Sequence, residues 1–382
     1  MDRYQHFRQR FIDNFFFEGR VASHVSPGTN GTSIKFADQT IYLGQALVAF
    51  SSEVAVNKRF HRGDSDAELI ISELLSCFEQ LEKMAISRYV HGGILEGFFV
   101  RDDIVGLGDP RLPSRFLEVE SDWQFPEREN DTPSIDQIIG LMTGLLSVVR
   151  FTDDHSLADK ARSISSRLFK YARHNNFVLQ LPSGKHTSRG WDGRAFASLL
   201  HGLNKEITGE DHFDKCFIIP FPLIPIRQGL RPLAAFWDSP LSAQAITTLT
   251  SEDLNIPLTD ITLPRKGYVI HMILMLLASS EVWSQQELEV LALGSFHHLA
   301  ILLYAAYHSC LPRGVTKSAI DEILDSCPLH GPAQGIASSS GWQNDNRWVR
   351  CANIFEINTG QNSYNGIDWL ALHNTSQLAF AL

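Results

Sequence analysis

Acidic residues recur in this chain wherever a polar segment gives way to an apolar helix. Asp136 and Gln137 open IIGLMTGLLSVV, Asp38 and Gln39 open TIYLGQALVAF, Asp192 and Arg194 open AFASLLHGL, and Asn365 and Asp368 open WLALHN. A first helical turn points its backbone amides outward and favours negative charge, so each acid has a local reason to stand there. If the apolar helices all run the same way, these starts also meet at one rim and build an acid-bearing cleft. Tryptophans attend the acids: Trp123 follows Asp122, Trp191 precedes Asp192, Trp342 and Trp348 flank Asp345, and Trp369 follows Asp368. Indole faces stack on the C–H faces of sugars while carboxylates take the hydroxyls; the same faces stabilise carbocations.

A second group is Arg101-Asp102-Asp103, directly after the apolar run from Gly97 to Val100. A strand or turn ending there exposes two acids beside a cation, which suits proton transfer or Mg²⁺ binding. Asp153 and Asp154 stand between two helical stretches and read as a cap for the helix from His155. His297, His298 and His308 lack the spacing and the acid of a zinc site, and no G-x-S-x-G, P-loop or G-x-G-x-x-G run is present. No metal site is expected from these motifs.

The elements that must position these residues follow from hydrophobic periodicity. Strongly apolar helices with internal glycines, 40–56 and the one that carries Ile135 to Leu146, alternate with amphipathic ones, 67–87 and 155–173. Residues 1–20 form a short amphipathic helix ending near Gly19, 23–33 a loop, and 90–115 a Gly-rich loop or small hairpin. Prolines at 220, 222, 225, 232, 240, 257 and 264 keep any helices there short. No long linker or low-complexity block interrupts the chain, so residues 1–382 read as one domain.

Composition narrows the partners. A net charge of −10 over 382 residues argues against binding nucleic acid by general phosphate attraction. The longest apolar run, 269–278, is too short to span a bilayer, and the mixed charge of residues 1–20 does not make a signal peptide, so a cytoplasmic protein is expected. The five cysteines form no C-x-x-C pair and read as reduced and buried.

Apolar helices alternating with amphipathic ones predict an all-α fold of two concentric layers, an α/α toroid of helical hairpins with buried inner and amphipathic outer helices. In that arrangement, in the S-x-D-Q-x-x-G-L run from Ser134 to Leu141 and in W-D-G-R from Trp191 to Arg194, the chain resembles the α/α-barrel glycoside hydrolases and polysaccharide lyases, the unsaturated-glucuronyl hydrolases among them. The resemblance implies a sugar-binding cleft at one end of the barrel. The expected function is cleavage of a glycosidic bond in an oligosaccharide or smaller sugar substrate by paired carboxylates, one protonated through burial. Candidates are Asp136 with Asp102 or Asp192. Gln137, Trp123, Trp191, Trp342, Asn365 and Asp368 line the cleft, and Arg194 and Arg347 hold anionic sugar groups. Two alternatives share these residues: an Mg²⁺-dependent all-α cyclase acting on a prenyl diphosphate, without a D-D-x-x-D run, and a non-catalytic helical scaffold.

Overall fold

Two helices of the computed structural model lie backbone to backbone: α2 (Gln39–Arg59) and α4 (Ile135–Phe151). The model describes residues 2–27, 31–36, 39–63, 66–88, 96–124, 133, 135–175, 177, 193–210, parts of 302–329, and 363–381. Gly140 stands beside Ile41, and Gly144 beside Gly44 and Leu47, so the two helices advance together and are parallel. The contact requires glycine. A methyl at Gly144 would stand 2.6 Å from the Gly44 carbonyl oxygen, and one at Gly44 would strike the Gly140 carbonyl.

Two more helices continue this layer in the same direction. α6 (Gly193–Thr208) packs on α4, and Arg150 pairs with Glu206 where their last turns meet. α8 (Ile367–Ala379) packs on α2, where Asn374 donates to the Ala49 carbonyl at 3.0 Å and Ala381 accepts from Arg59. From Gln39 to Glu53 every residue of α2 is buried, and α8 is nearly as enclosed.

The returning helices are amphipathic. α3 (Ala67–Arg88) buries Ile70, Ile71, Leu74, Leu75, Phe78 and Leu81, and α5 (His155–His174) buries Leu157, Ala161, Ile164, Leu168 and Tyr171, each at helical spacing. α3 and α5 run parallel to each other, tied by Lys160 to Ser76 at 2.9 Å and Arg167 to Glu82 at 2.8 Å. Asp154 caps α5 by accepting from Ser156 and Leu157 amides, the role expected of it, whereas Asp153 pairs with Lys58. α1 (Arg3–Phe15) runs antiparallel to α8: Tyr4 stacks on His373 at 4.7 Å, Phe7 on Trp369 at 4.5 Å, and Arg10 donates to the Asn365 carbonyl. α7 (Lys317–Ser326), capped by Thr316, also packs on α8. One continuous apolar core runs from Tyr4 to Ala379.

The described residues are thus predominantly helical, as periodicity predicts, yet they include strands that it does not. Beyond a short β1 (Phe16–Phe17) and β2 (Arg20–Val21) pair, β3 (His24–Pro27), β4 (Thr32–Lys35), β5 (Phe116–Glu120) and β6 (Ser363–Tyr364) form a sheet of order β5-β4-β3-β6. The first two of these four occupy the segment read as a loop. They are too short and too polar to give a period-two signal, and they exist because their edges find partners far away in sequence. β4, β5 and β6 lead toward α2, α4 and α8, so the sheet borders the N-terminal end of the inner layer.

No helix among the described residues is long and apolar enough to cross a membrane. The glycine contact makes a discriminating prediction for stability. Gly44→Ala and Gly144→Ala overpack a backbone interface and should each cost roughly 1–3 kcal/mol or more. Gly140→Ala meets its nearest atoms at an ordinary 3.6–3.8 Å and should be neutral or stabilising by helix propensity. Urea denaturation of the three variants reads this difference; equal losses would show that the close approach at Gly44 and Gly144 does not govern packing.

Candidate functional site

Because α2, α4, α6 and α8 run the same way, their polar starts share one end of the layer. Gln39 and Gln137 stand in the first turns of α2 and α4, both fully buried. The Gln39 amide donates to Cys77 Sγ at 3.6 Å, while its oxygen and the Thr40 hydroxyl are enclosed without a hydrogen-bond partner among the described residues. Burial pushes the Cys77 thiol up to about 12, which keeps it neutral. Asp136 and Arg194 occupy the first turns of α4 and α6. Asp38, Ser134, Trp191, Asp192, Trp342, Asp345, Arg347 and Trp348 lie outside the described residues.

At the start of α8 the polar groups serve the backbone. Asn365 accepts from the Ile367 amide at 3.1 Å and donates to the Ala22 carbonyl at 2.9 Å, fastening the helix to the strand region. Asp368 is buried and accepts from the Trp369 amide at 2.9 Å. Trp369 does not pair with Asp368 as a ligand wall. Its ring is 1 % exposed, sandwiched between Phe7 and His373, and its indole N–H donates to the Leu324 carbonyl at 2.9 Å. Consecutive helical residues point about 100° apart, so adjacency in sequence does not place an acid and an indole on one face.

The Arg101-Asp102-Asp103 turn corrects the sequence reading most. Neither Asp102 nor Asp103 is exposed: both are buried in the loop that joins α3 to β5. Asp103 is clamped by Arg20 at 2.7 and 3.2 Å and by Arg111 at 2.7 Å, and Arg111 also holds Asp109 at 2.7 Å. Burial works against ionisation of Asp109, but the Arg111 and backbone hydrogen bonds outweigh it and hold the carboxyl below the usual range. With the Asp103 oxygens committed to guanidinium groups, Asp103 is not arranged to share a cation with Asp102. Among the described residues no three His, Cys, Asp or Glu side chains lie close enough to hold a metal ion. Arg20 and Arg111 carried no local sequence signal, since a buried ion pair is defined by its distant partner.

Asp102 instead meets the short 3-10 turn Asp122–Gln124 between β5 and α4. Ser121 Oγ is 2.6 Å from its Oδ1, the Asp122 amide donates to Oδ2 at 2.7 Å, and the Ile104 amide donates to Oδ1 at 3.1 Å. The turn holds Trp123 half-buried, with the Arg88 guanidinium 3.3 Å from its ring centroid, and Asp122 with Arg101 3.9 Å from its carboxylate. An acid, an indole and two arginines are therefore gathered at the entrance to α4, a combination able to stack on a ring and hydrogen-bond its substituents. The other tryptophan pairings lie outside the described residues. Compared with models of protein families, with curated proteins and with solved structures, the chain matches none.

The clamp predicts a large stability effect. Asp103→Ala strands Arg20 with a buried, uncompensated charge, leaving Arg111 with Asp109 alone, and should cost about 3–5 kcal/mol in urea unfolding. A loss under about 1 kcal/mol, the range of an exposed pair, would mean that solvent reaches the cluster.

Proposed function

We propose that the chain is a carbohydrate-active enzyme that cleaves glycosidic bonds with paired carboxylates, in a cleft at the N-terminal end of the inner helices. The observation that carries this reading is the common direction of α2, α4, α6 and α8, which gathers Gln39, Asp136, Gln137, Arg194 and Asp368 at one end of the layer. The parallel helices α2 and α4, each followed by an antiparallel amphipathic one, also support an α/α toroid formed from residues 1–382 as one domain. α1 lying on α8 brings the two ends of that path together.

In this reading Asp136 and Asp192 are the working pair, because Asp102 is enclosed. One acid, protonated through burial, gives its proton to the leaving oxygen; the other, better solvated, acts as base or nucleophile. Trp123, Trp191 and Trp342 stack on sugar faces, and Arg194 and Arg347 pair with carboxylated or sulfated groups.

Incubation with a panel of neutral and uronic oligosaccharides tests the reading; absence of both binding and turnover across the panel would sink it. Mg²⁺-dependent release of diphosphate from a prenyl diphosphate would replace it with the cyclase reading, and inertness toward both classes would leave a scaffold. On a substrate so found, Asp136→Asn should keep its melting temperature and lose about 10²-fold or more in turnover. A role limited to the helix dipole would cost about 1 kcal/mol or less and leave turnover intact.

A further inference from the structure

The contacts around Ser121 cannot all be hydrogen bonds if Asp102 is ionised. Ser121 Oγ lies 2.6 Å from Asp102 Oδ1 and 2.6 Å from the Ile104 carbonyl oxygen, and it also accepts from the Trp123 amide at 3.1 Å. A hydroxyl owns one hydrogen. With a carboxylate at Asp102, one of the two 2.6 Å contacts would set lone pair against lone pair. With a proton on Oδ1, Asp102 donates to Ser121 and Ser121 donates to the Ile104 carbonyl. Oδ2 still accepts from the Asp122 amide, so every polar atom of the cluster is satisfied.

We propose that Asp102 is a proton-holding positioning residue: as a neutral acid it locks Ser121 and the Asp122–Gln124 turn, presenting Asp122 and Trp123 to the ligand at the rim, and its ionisation loosens that turn. Burial, helped by the nearby Asp122 charge, raises the Asp102 pKa to about 7 against the opposing hydrogen bonds from Ser121, Ile104 and Asp122. The surrounding titratable groups are Asp122 and Arg101 on the rim, Cys77 from α3, and the Arg20–Asp103–Arg111–Asp109 clamp of the same loop. Presentation of Asp122 to a sugar rests on the proposed function; the proton on Asp102 does not.

A folded chain that keeps this proton after the unfolded chain has released it loses stability as pH rises from the ordinary carboxylate range to about 7, and is level in this respect above that. Asp102→Asn keeps two contacts of the neutral acid, since its amide donates to Ser121 and its oxygen accepts from the Asp122 amide, while the Ile104 amide loses its acceptor; that loss is a pH-independent offset. The melting temperature of D102N relative to wild type should therefore rise by several degrees as pH goes from the ordinary carboxylate range to about 7, and hold steady above that. Side-chain-labelled infrared spectra should show a protonated-acid carbonyl band at pH 6 that D102N lacks. Amide exchange at 122 and 123 should quicken as wild type passes about pH 7, and in Asp102→Ala at every pH. A pH-independent difference between wild type and D102N, or no such band, overturns the proposal.

For the presentation of Asp122, an oligosaccharide bound by wild type should bind Asp122→Asn at least tenfold more weakly; unchanged binding overturns that part. If wild type binds no oligosaccharide, the function reading fails while the Asp102 measurements still decide the proton.

Discussion

The close approach of α2 and α4 at Gly44, Gly140 and Gly144 constrains everything built around it. Helices this near must present backbone to backbone, and parallel neighbours cannot be joined by a short turn. The chain has to travel back the full length of α2 before α4 begins. α3 makes that journey, and because it lies outside the inner layer it needs only one apolar face. The same requirement repeats at α4, α5 and α6. Alternation of all-round apolar and amphipathic helices is therefore a consequence of parallel inner packing, and the gathering of helix starts at one end is another.

The connections that cross this end carry the burden of shape. The loop between α3 and β5 holds Phe98, Phe99 and Val100 in the core, and Gly97 (φ +90°) lies so close to the Arg167 carbonyl that a side chain there would collide. Glu82 accepts from the Gly97 amide at 2.6 Å while pairing with Arg167, so one carboxylate ties α3, the loop and α5 together. Farther along, the Arg20–Asp103–Arg111–Asp109 clamp fixes the path toward β5. Such buried charges cost desolvation, and their strict geometry makes alternative loop paths unfavourable by leaving a charge unpaired. A stiff rim of this kind is what positioned binding groups need.

Two kinds of acid are separated by these surroundings. Asp103 and Asp109 face guanidinium groups, whereas Asp102 faces a hydroxyl, carbonyl and amides and is best satisfied with a proton. In the sequence Asp102 and Asp103 look alike, two adjacent acids at the end of one apolar run. The difference arises from which partners the fold brings to each, over separations as large as that between Arg20 and Asp103.

By itself the sequence determined the helix-rich character, the direction of burial on α3 and α5, the cap at Asp154 and the polar starts at Gln39, Gln137 and Asp368, because these depend on periodicity and on the first turn of a helix. Tertiary structure decided what those patterns leave open. It paired β3, β4, β5 and β6, enclosed Asp102 and Asp103, and turned Trp369 into the core between Phe7 and His373 while setting Trp123 at the rim beneath Arg88. Strand pairing, ion pairing and the facing of a helical residue are settled by groups distant along the chain, and local sequence holds no record of those distances.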